Sequence, residues 1–365
     1  MFNGSSLPSR DPLSCRSSGE AIPAIVGILL ATALLAIVCR TVIPADQPPA
    51  SRGEGPAASA PAESKKTAAK PSLKQALAEL KVPPDWFNDT TPAWDTNKPW
   101  KEARLEVRRL LAIDDEAKVR EAVKLTWLYA QKGDIGDGHE LPMYLLMSGQ
   151  YAWAIREYPK YLKTVAGKGP AHAYLCYASC LAHFGEYPQA LGVANEALKD
   201  LPAPPWRLNA MGNIQNFLGD LHTEMGDTAK ARAAYAEAIK SYLASDQPYG
   251  KHLIARNVAK VQTKVNLLTL QDLQNAKLRD GPYVGKSVGY TSSVDLEVTV
   301  TIKDGKIADV QVKHQEKLDL GATRTIPQRI VESNSLKVDA VTGATVTSQA
   351  IVDAAYQALK KAGLE

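Results

Sequence analysis

The sequence predicts a multidomain chain with one N-terminal transmembrane helix, an all-α repeat region and a small C-terminal α+β domain. Three observations carry this reading. Ala21–Cys39 is nineteen residues long and holds no charge, close to the run of about 20 apolar residues that crosses a bilayer. From about residue 99 to about 275, apolar positions recur at i, i+3 and i+4, the period of a helix with one buried face. From about residue 279 the period becomes two: Leu296, Val298, Val300 and Ile302 alternate with Glu297, Thr299, Thr301 and Lys303, as in a half-buried strand.

Composition bounds the rest. The 365 residues are 45% hydrophobic and 22% charged, enough to build a core. Lys plus Arg number 43 against 39 acidic residues, a net charge of +4, which leaves no electrostatic footprint for nucleic acid. Cys15, Cys39, Cys176 and Cys180 form no CxxC pair, so neither a disulfide framework, structural zinc nor c-type haem is expected.

In chain order, residues 1–20 read as a short tail and 21–43 as the anchor. The apolar run exceeds the usual signal-peptide core of about 7–15 residues, and TVIPADQPPA after Arg40 offers no convincing cleavage site. An uncleaved span is therefore expected, with a long cleaved signal as the other reading. Arg10 and Arg16 lie before the span and Arg40 after it, so charge does not fix the orientation; the short tail points to export of the C-terminal part. Residues 44–72, rich in Pro, Ala, Ser, Gly and Lys, read as an extended tether. Trp86, Phe87, Trp94 and Trp100 then lie among turn residues, in a strap whose aromatics either dock on the following helices or build a pocket.

Residues 73–278 form the helical domain. AYLCYASCLAHFGEYPQALGVANEALKDLP (173–202) places small residues at Ala178, Ala190 and Ala197 around a turn at Gly185. NFLGDLHTEMGDTAKARAAYAEAI (216–239) repeats the pattern around Gly226, and residues 141–162 form a weaker copy around Gly149. The turn glycines stand 36 and 41 residues apart, near the tetratricopeptide period of about 34. This region resembles tetratricopeptide (TPR) repeats, which implies either a partner-binding surface or a helical spacer. Cys176 and Cys180, four apart, read as buried small residues. His139, His172, His183, His222 and His252 show no ligand spacing and receive no metal or catalytic role.

Residues 279–365 carry the chemistry. Tyr283–Tyr290 reads as a first strand, Asp304-Gly305 as a hairpin turn, and Ile307, Val310 and Val312 begin the return strand. A helix is expected around Ile326–Ser333, and another from about Thr347 to Lys361 with Ile351, Ala354, Ala355 and Leu359 inward. Before the last helix stands VDAVTGATVTSQ, from Val338 to Gln349. Thr347 or Ser348 is placed to cap the helix, and unpaired N–H groups at its start favour a phosphate; an ordinary capped helix would show the same residues.

DGPYVGKSVGY, VTVTIKDGKIADVQV and VDAVTGATVTSQAIVDAAYQAL, in that order, resemble the FMN-binding domain family of sodium-pumping NADH:quinone reductase and Rnf subunits, over about 85 residues. The resemblance implies FMN joined through a phosphoester to Thr345 by a separate magnesium-dependent flavin transferase. Asp339, Thr342, Gly343 and Ala344 would form the recognition motif, with Thr347 and Ser348 near the phosphate. No base adjoins Thr345 in sequence, so its activation falls to the transferase. The flavin ring would lie over the domain surface; His314 and Tyr290 are candidate borders, though packing on a strand face explains each equally well. Gly321-Ala322-Thr323 is a second G-A-T, but Asp319 stands two residues before its glycine, where Asp339 stands four before Gly343. Residues 281–365 hold ten basic and ten acidic residues, so charge does not reveal a redox partner. The expected whole is a membrane-anchored, extracytoplasmic electron carrier; the alternatives are a TPR-type scaffold with a non-covalent or empty FMN domain, and a small reductase.

Overall fold

The computed structural model describes residues 71–364 except 114, 137, 249, 271, 272, 274 and 275. The expected tail, anchor and nearly all of the tether lie outside the described residues. Among those described, no helix is long and apolar enough to cross a membrane.

The helical part begins with α1 (Leu73–Ala78), whose first turn is capped by the Ser72 hydroxyl. A single 3₁₀ turn at Asp85–Phe87 follows. Nine helices come next: α2 (Trp100–Leu111), α3 (Glu116–Gln131), α4 (Glu140–Met147), α5 (Tyr151–Thr164), α6 (Ala171–His183), α7 (Tyr187–Lys199), α8 (Arg207–Glu224), α9 (Thr228–Leu243) and α10 (Lys251–Thr269). Gly149, Gly185 and Gly226 join α4 to α5, α6 to α7 and α8 to α9, with φ of +76°, +76° and +75°. A left-handed residue after a helix end is the conformation glycine adopts at least cost, so the three short connections are built alike.

The strap aromatics serve as core. Phe87 is buried against Trp127 and Trp153, with ring centroids 5.5 and 6.1 Å away. Trp100 is buried against Tyr129 and Tyr144, and Trp94 donates its indole N–H to the Tyr129 hydroxyl. Edge-on and tilted ring contacts of this kind favour docking over an open pocket.

Cys176 and Cys180 are both buried, but their surroundings differ. Cys176 Sγ lies 3.5 Å from His172 Nε2 on the preceding turn. Burial pushes the Cys176 thiol up, yet the neighbouring imidazole outweighs it and brings the thiol below its ordinary value. Burial holds Cys180 well above its own. Both are buried as expected, and the contact with His172 gives Cys176 a polar partner besides. Because a lower thiol pKa leaves more thiolate at pH 7, iodoacetamide should label Cys176 before Cys180 in the folded chain. Equal labelling, followed by peptide mass mapping, would contradict the pairing.

The C-terminal part is a three-stranded antiparallel sheet in the order β1 (Gly281–Val288), β2 (Asp295–Lys303), β3 (Lys306–Lys313). Two helices cover it, α11 (Ala322–Ser333) and α12 (Thr345–Ala362). Leu296, Val298, Val300 and Ile302 of β2 face the core, none more than 2% exposed. Asp304 and Gly305 both take positive φ, as a tight hairpin turn of the primed type requires. Their N–H groups are held by the Asp280 carboxylate. The expected inner stripe of α12 is fully buried, but its boundaries are corrected. α12 starts at Thr345 rather than Thr347, α11 at Ala322 rather than Ile326, and β1 spans Gly281–Val288 rather than Tyr283–Tyr290.

Buried Asp353 joins the helical part to this sheet. It accepts hydrogen bonds from Thr263 of α10 (2.6 Å), Ser287 of β1 (2.7 Å) and Gln357 of its own helix (3.1 Å). Three donors satisfy a carboxylate that burial would otherwise penalise.

Candidate functional site

The segment from Asp339 to Ser348 runs from the connection after α11 into the first turns of α12. Its start is fixed by Arg329, whose guanidinium donates to the Asp339 carbonyl. Ala344 N–H bonds back to the Val341 carbonyl at 2.9 Å, and Gly343 takes φ +83°, which closes a tight turn immediately before Thr345. A Cβ on Gly343 would stand 2.9 Å from Leu320 Cδ1 and 3.6 Å from Met147 Cα, so the turn is held from both sides.

The N-cap of α12 is Ala344, with no side-chain cap. This corrects the expectation that Thr347 or Ser348 caps the helix; both lie inside its first turns. Ser348 Oγ instead accepts from Val341 N–H at 3.1 Å and donates to the Ala344 carbonyl at 3.0 Å, stapling the turn onto the helix. Thr347 is buried and gives its hydroxyl proton to Glu316 at 2.8 Å. The first N–H groups of α12 thus lack a side-chain acceptor, and the helix dipole concentrates positive charge there.

Glu316 organises the neighbouring loop. Its carboxylate accepts from the N–H groups of Tyr290 and Thr291 and from the Thr347 hydroxyl, and its own N–H donates to His314 Nδ1. Tyr290 is left 51% exposed. The two proposed borders are therefore tied through Glu316 to the start of α12.

The helical part closes the other side of the segment, a feature the sequence reading did not contain. Thr342 Oγ1 lies 3.5 Å from His183 Nδ1 at the end of α6. The Tyr151 and His183 rings are 3.9 Å apart between centroids. Gln349, one turn after Thr345, donates to Asp220 of α8 at 3.1 Å. Asp220 in turn holds Lys264 of α10 at 2.7 and 2.9 Å and accepts from Tyr235 of α9. Burial pulls Lys264 below its ordinary value, an effect Asp220 opposes. Glu224, next along α8, is pushed up first by burial and then by the charges of Asp339 and Asp220.

Comparison with known proteins identifies the C-terminal part. Residues 289–360 match the FMN-binding domain family. This region is an FMN-binding domain. A stretch of 99 residues is 36% identical to NADH:acrylate oxidoreductase of Vibrio harveyi, covering 26% of this chain and 10% of that protein. The chain thus spans about a tenth of that relative's length. No solved structure matches.

FMN is the cofactor of this domain, and the segment that leads into α12 fits it. The phosphate needs donors and a helix start with positive potential, and the uncapped first turn of α12 offers both. Thr345 is half-buried beside exposed Val346, and its hydroxyl makes no hydrogen bond among the described residues. Thr323, in the second G-A-T, differs. Its hydroxyl and its N–H are both bound to the Asp319 carboxylate, which also holds Gly321 N–H. The Thr323 hydroxyl is thus engaged by Asp319, whereas the Thr345 hydroxyl is bonded to no described residue. Asp339 is exposed, Thr342 half-buried and Ala344 buried, so the segment offers some of its side chains to solvent and others to the helical part.

A separate cleft of about 330 Å³ opens between α7, α8 and α9, lined by Leu191, Asn195, Gln215, His222 and Lys230 among others. It includes no residue of the segment from 339 to 348.

Proposed function

We propose that the chain is a membrane-anchored, extracytoplasmic flavoprotein that relays electrons through FMN held covalently on Thr345. One observation supports the attachment above others: Thr345 carries an unengaged hydroxyl on the first residue of an uncapped helix, while the competing Thr323 is committed to Asp319. The bond is a phosphoester formed between Thr345 Oγ and the FMN phosphate, with net loss of one water. Among the described residues no base is bonded to that hydroxyl, so a separate flavin transferase supplies the activation.

Once bound, FMN supplies chemistry that accepts electrons in pairs and releases them singly. The protein's own contributions are placement and field. The α12 dipole stabilises the phosphoester charge, Ser348 and Gly343 hold the turn, and Glu316 fixes the loop beside it. The helical region, read as TPR-like stacked hairpins, would bring a redox partner to the flavin. A match to one tenth of a larger oxidoreductase supports reading the domain as one module of a redox chain. The length of the helical region favours a second reading, a TPR-type scaffold whose FMN domain is empty or binds flavin non-covalently.

The chain contains no G-x-G-x-x-G dinucleotide fingerprint, so it should not oxidise NADH unaided. Under anaerobic conditions, NADH alone should leave the visible absorbance of the flavinylated protein unchanged, and reduced methyl viologen should bleach it. Stoichiometric bleaching by NADH alone would overturn the relay role in favour of an enzyme with its own nucleotide site.

A further inference from the structure

Thr345 stands between two points pinned to the helical region. Three residues before it, Thr342 meets His183, whose ring lies against that of Tyr151. Four residues after it, Gln349 is bonded to Asp220. Residues four apart lie on one face of a helix, so the Thr345 side chain points toward the side on which α8 lies. Between the two points, the backbone of Met147 comes close to Gly343. A group joined at Thr345 therefore emerges along the seam between the helical region and the FMN-binding domain, not over an isolated domain surface.

That seam carries aromatic groups next to the acceptor turn. Tyr151 and His183 lie ring against ring at 3.9 Å, and Phe184 meets His183 edge-on at 5.3 Å. All three are half-buried, leaving part of each ring uncovered. A flat, electron-poor isoalloxazine is matched by such a surface, since aromatic stacking and a polar edge both favour it.

We propose that Tyr151 and His183 of the helical region are flavin-contacting residues, forming the aromatic wall against which FMN carried by Thr345 rests. The inference builds on the covalent reading and moves the flavin's surroundings from the FMN-binding domain alone to the seam. It also gives the helical region a direct part in tuning the cofactor, since groups in contact with the ring set its electronics.

The test uses the full chain co-produced with a flavin transferase, with intact mass recorded before any spectrum. A phenol touching the ring quenches flavin fluorescence by electron donation, so wild type should be dim relative to free FMN. Tyr151→Phe, which keeps the ring but removes the electron-rich phenol, should brighten it several-fold. His183→Gln should shift the visible band. Equal fluorescence in wild type and Tyr151→Phe would overturn the proposal. If wild type carries no added mass, the covalent reading fails, and the comparison is repeated by titrating free FMN. Quenching that Tyr151→Phe relieves would then still support the wall, and its absence would overturn it.

Discussion

Thr345→Ala is expected to abolish covalent flavin completely while leaving the fold intact. The side chain sits on the first residue of α12 and makes no hydrogen bond among the described residues. Alanine is a good helix former, and substitutions that break no buried contact cost within about 0.5 kcal/mol. In-gel flavin fluorescence and the added mass should therefore vanish with little change in melting temperature. Thr323→Ala should do the reverse. It removes a hydroxyl bonded to Asp319 at the start of α11, so it should cost about 1 kcal/mol of stability and keep the flavin. Loss of flavin from Thr323→Ala with retention in Thr345→Ala would reverse the assignment.

Gly285→Ala should have the largest effect on stability. A Cβ at this position would lie 1.9 Å from the Ala354 carbonyl oxygen, 2.8 Å from its carbon and 3.0 Å from Ala358 N. All three are backbone atoms of α12, so no side-chain rotation relieves the clash and the helix must lift from β1. The displaced surface includes Ile351, Ala354, Ala355 and Ala358, all fully buried, and the hydrogen bond from Ser287 to Asp353. Overpacking in a tight core costs typically about 1–3 kcal/mol, and a clash against rigid backbone belongs at or above the upper end. Chemical denaturation should show that loss together with reduced flavin loading, because α12 begins with Thr345. Gly305→Asn is the contrast. At φ +73° with open space around it, an asparagine should cost well under about 1 kcal/mol. Similar midpoints for the two variants would contradict the close approach of α12 to β1.

Much of the C-terminal fold was legible because local rules agree there. The alternation in β2, the Asp-Gly turn and the small-residue stripe of α12 each follow from one short stretch of sequence. Helix starts were less legible for physical reasons. α11 begins four residues before its expected start because Asp319 gathers the N–H groups of Gly321 and Thr323, a cap hidden within what reads as a second G-A-T. α12 begins at Thr345 because the turn closes at Gly343, leaving Thr347 and Ser348 to bond elsewhere. The D-x-x-T-G-A-T pattern was plain in the sequence, but its surroundings were not. His183 is 159 residues from Thr342, and Asp220 is 129 from Gln349. Contacts over such separations leave no periodic trace, and His183 looked like one of several scattered histidines. Only the fold brings them to the turn.

The attachment of FMN to Thr345 is tested most directly by tryptic peptide mapping of the flavinylated full chain. Lys337 and Lys360 bound a peptide, residues 338–360, that contains Thr345, and Lys317 and Arg324 bound residues 318–324, which contain Thr323. The account predicts that the mass of FMN less one water, and the flavin fluorescence, travel with residues 338–360 and fragment to Thr345. The same mass on residues 318–324, or an unmodified 338–360 peptide from a fluorescent protein, would contradict it.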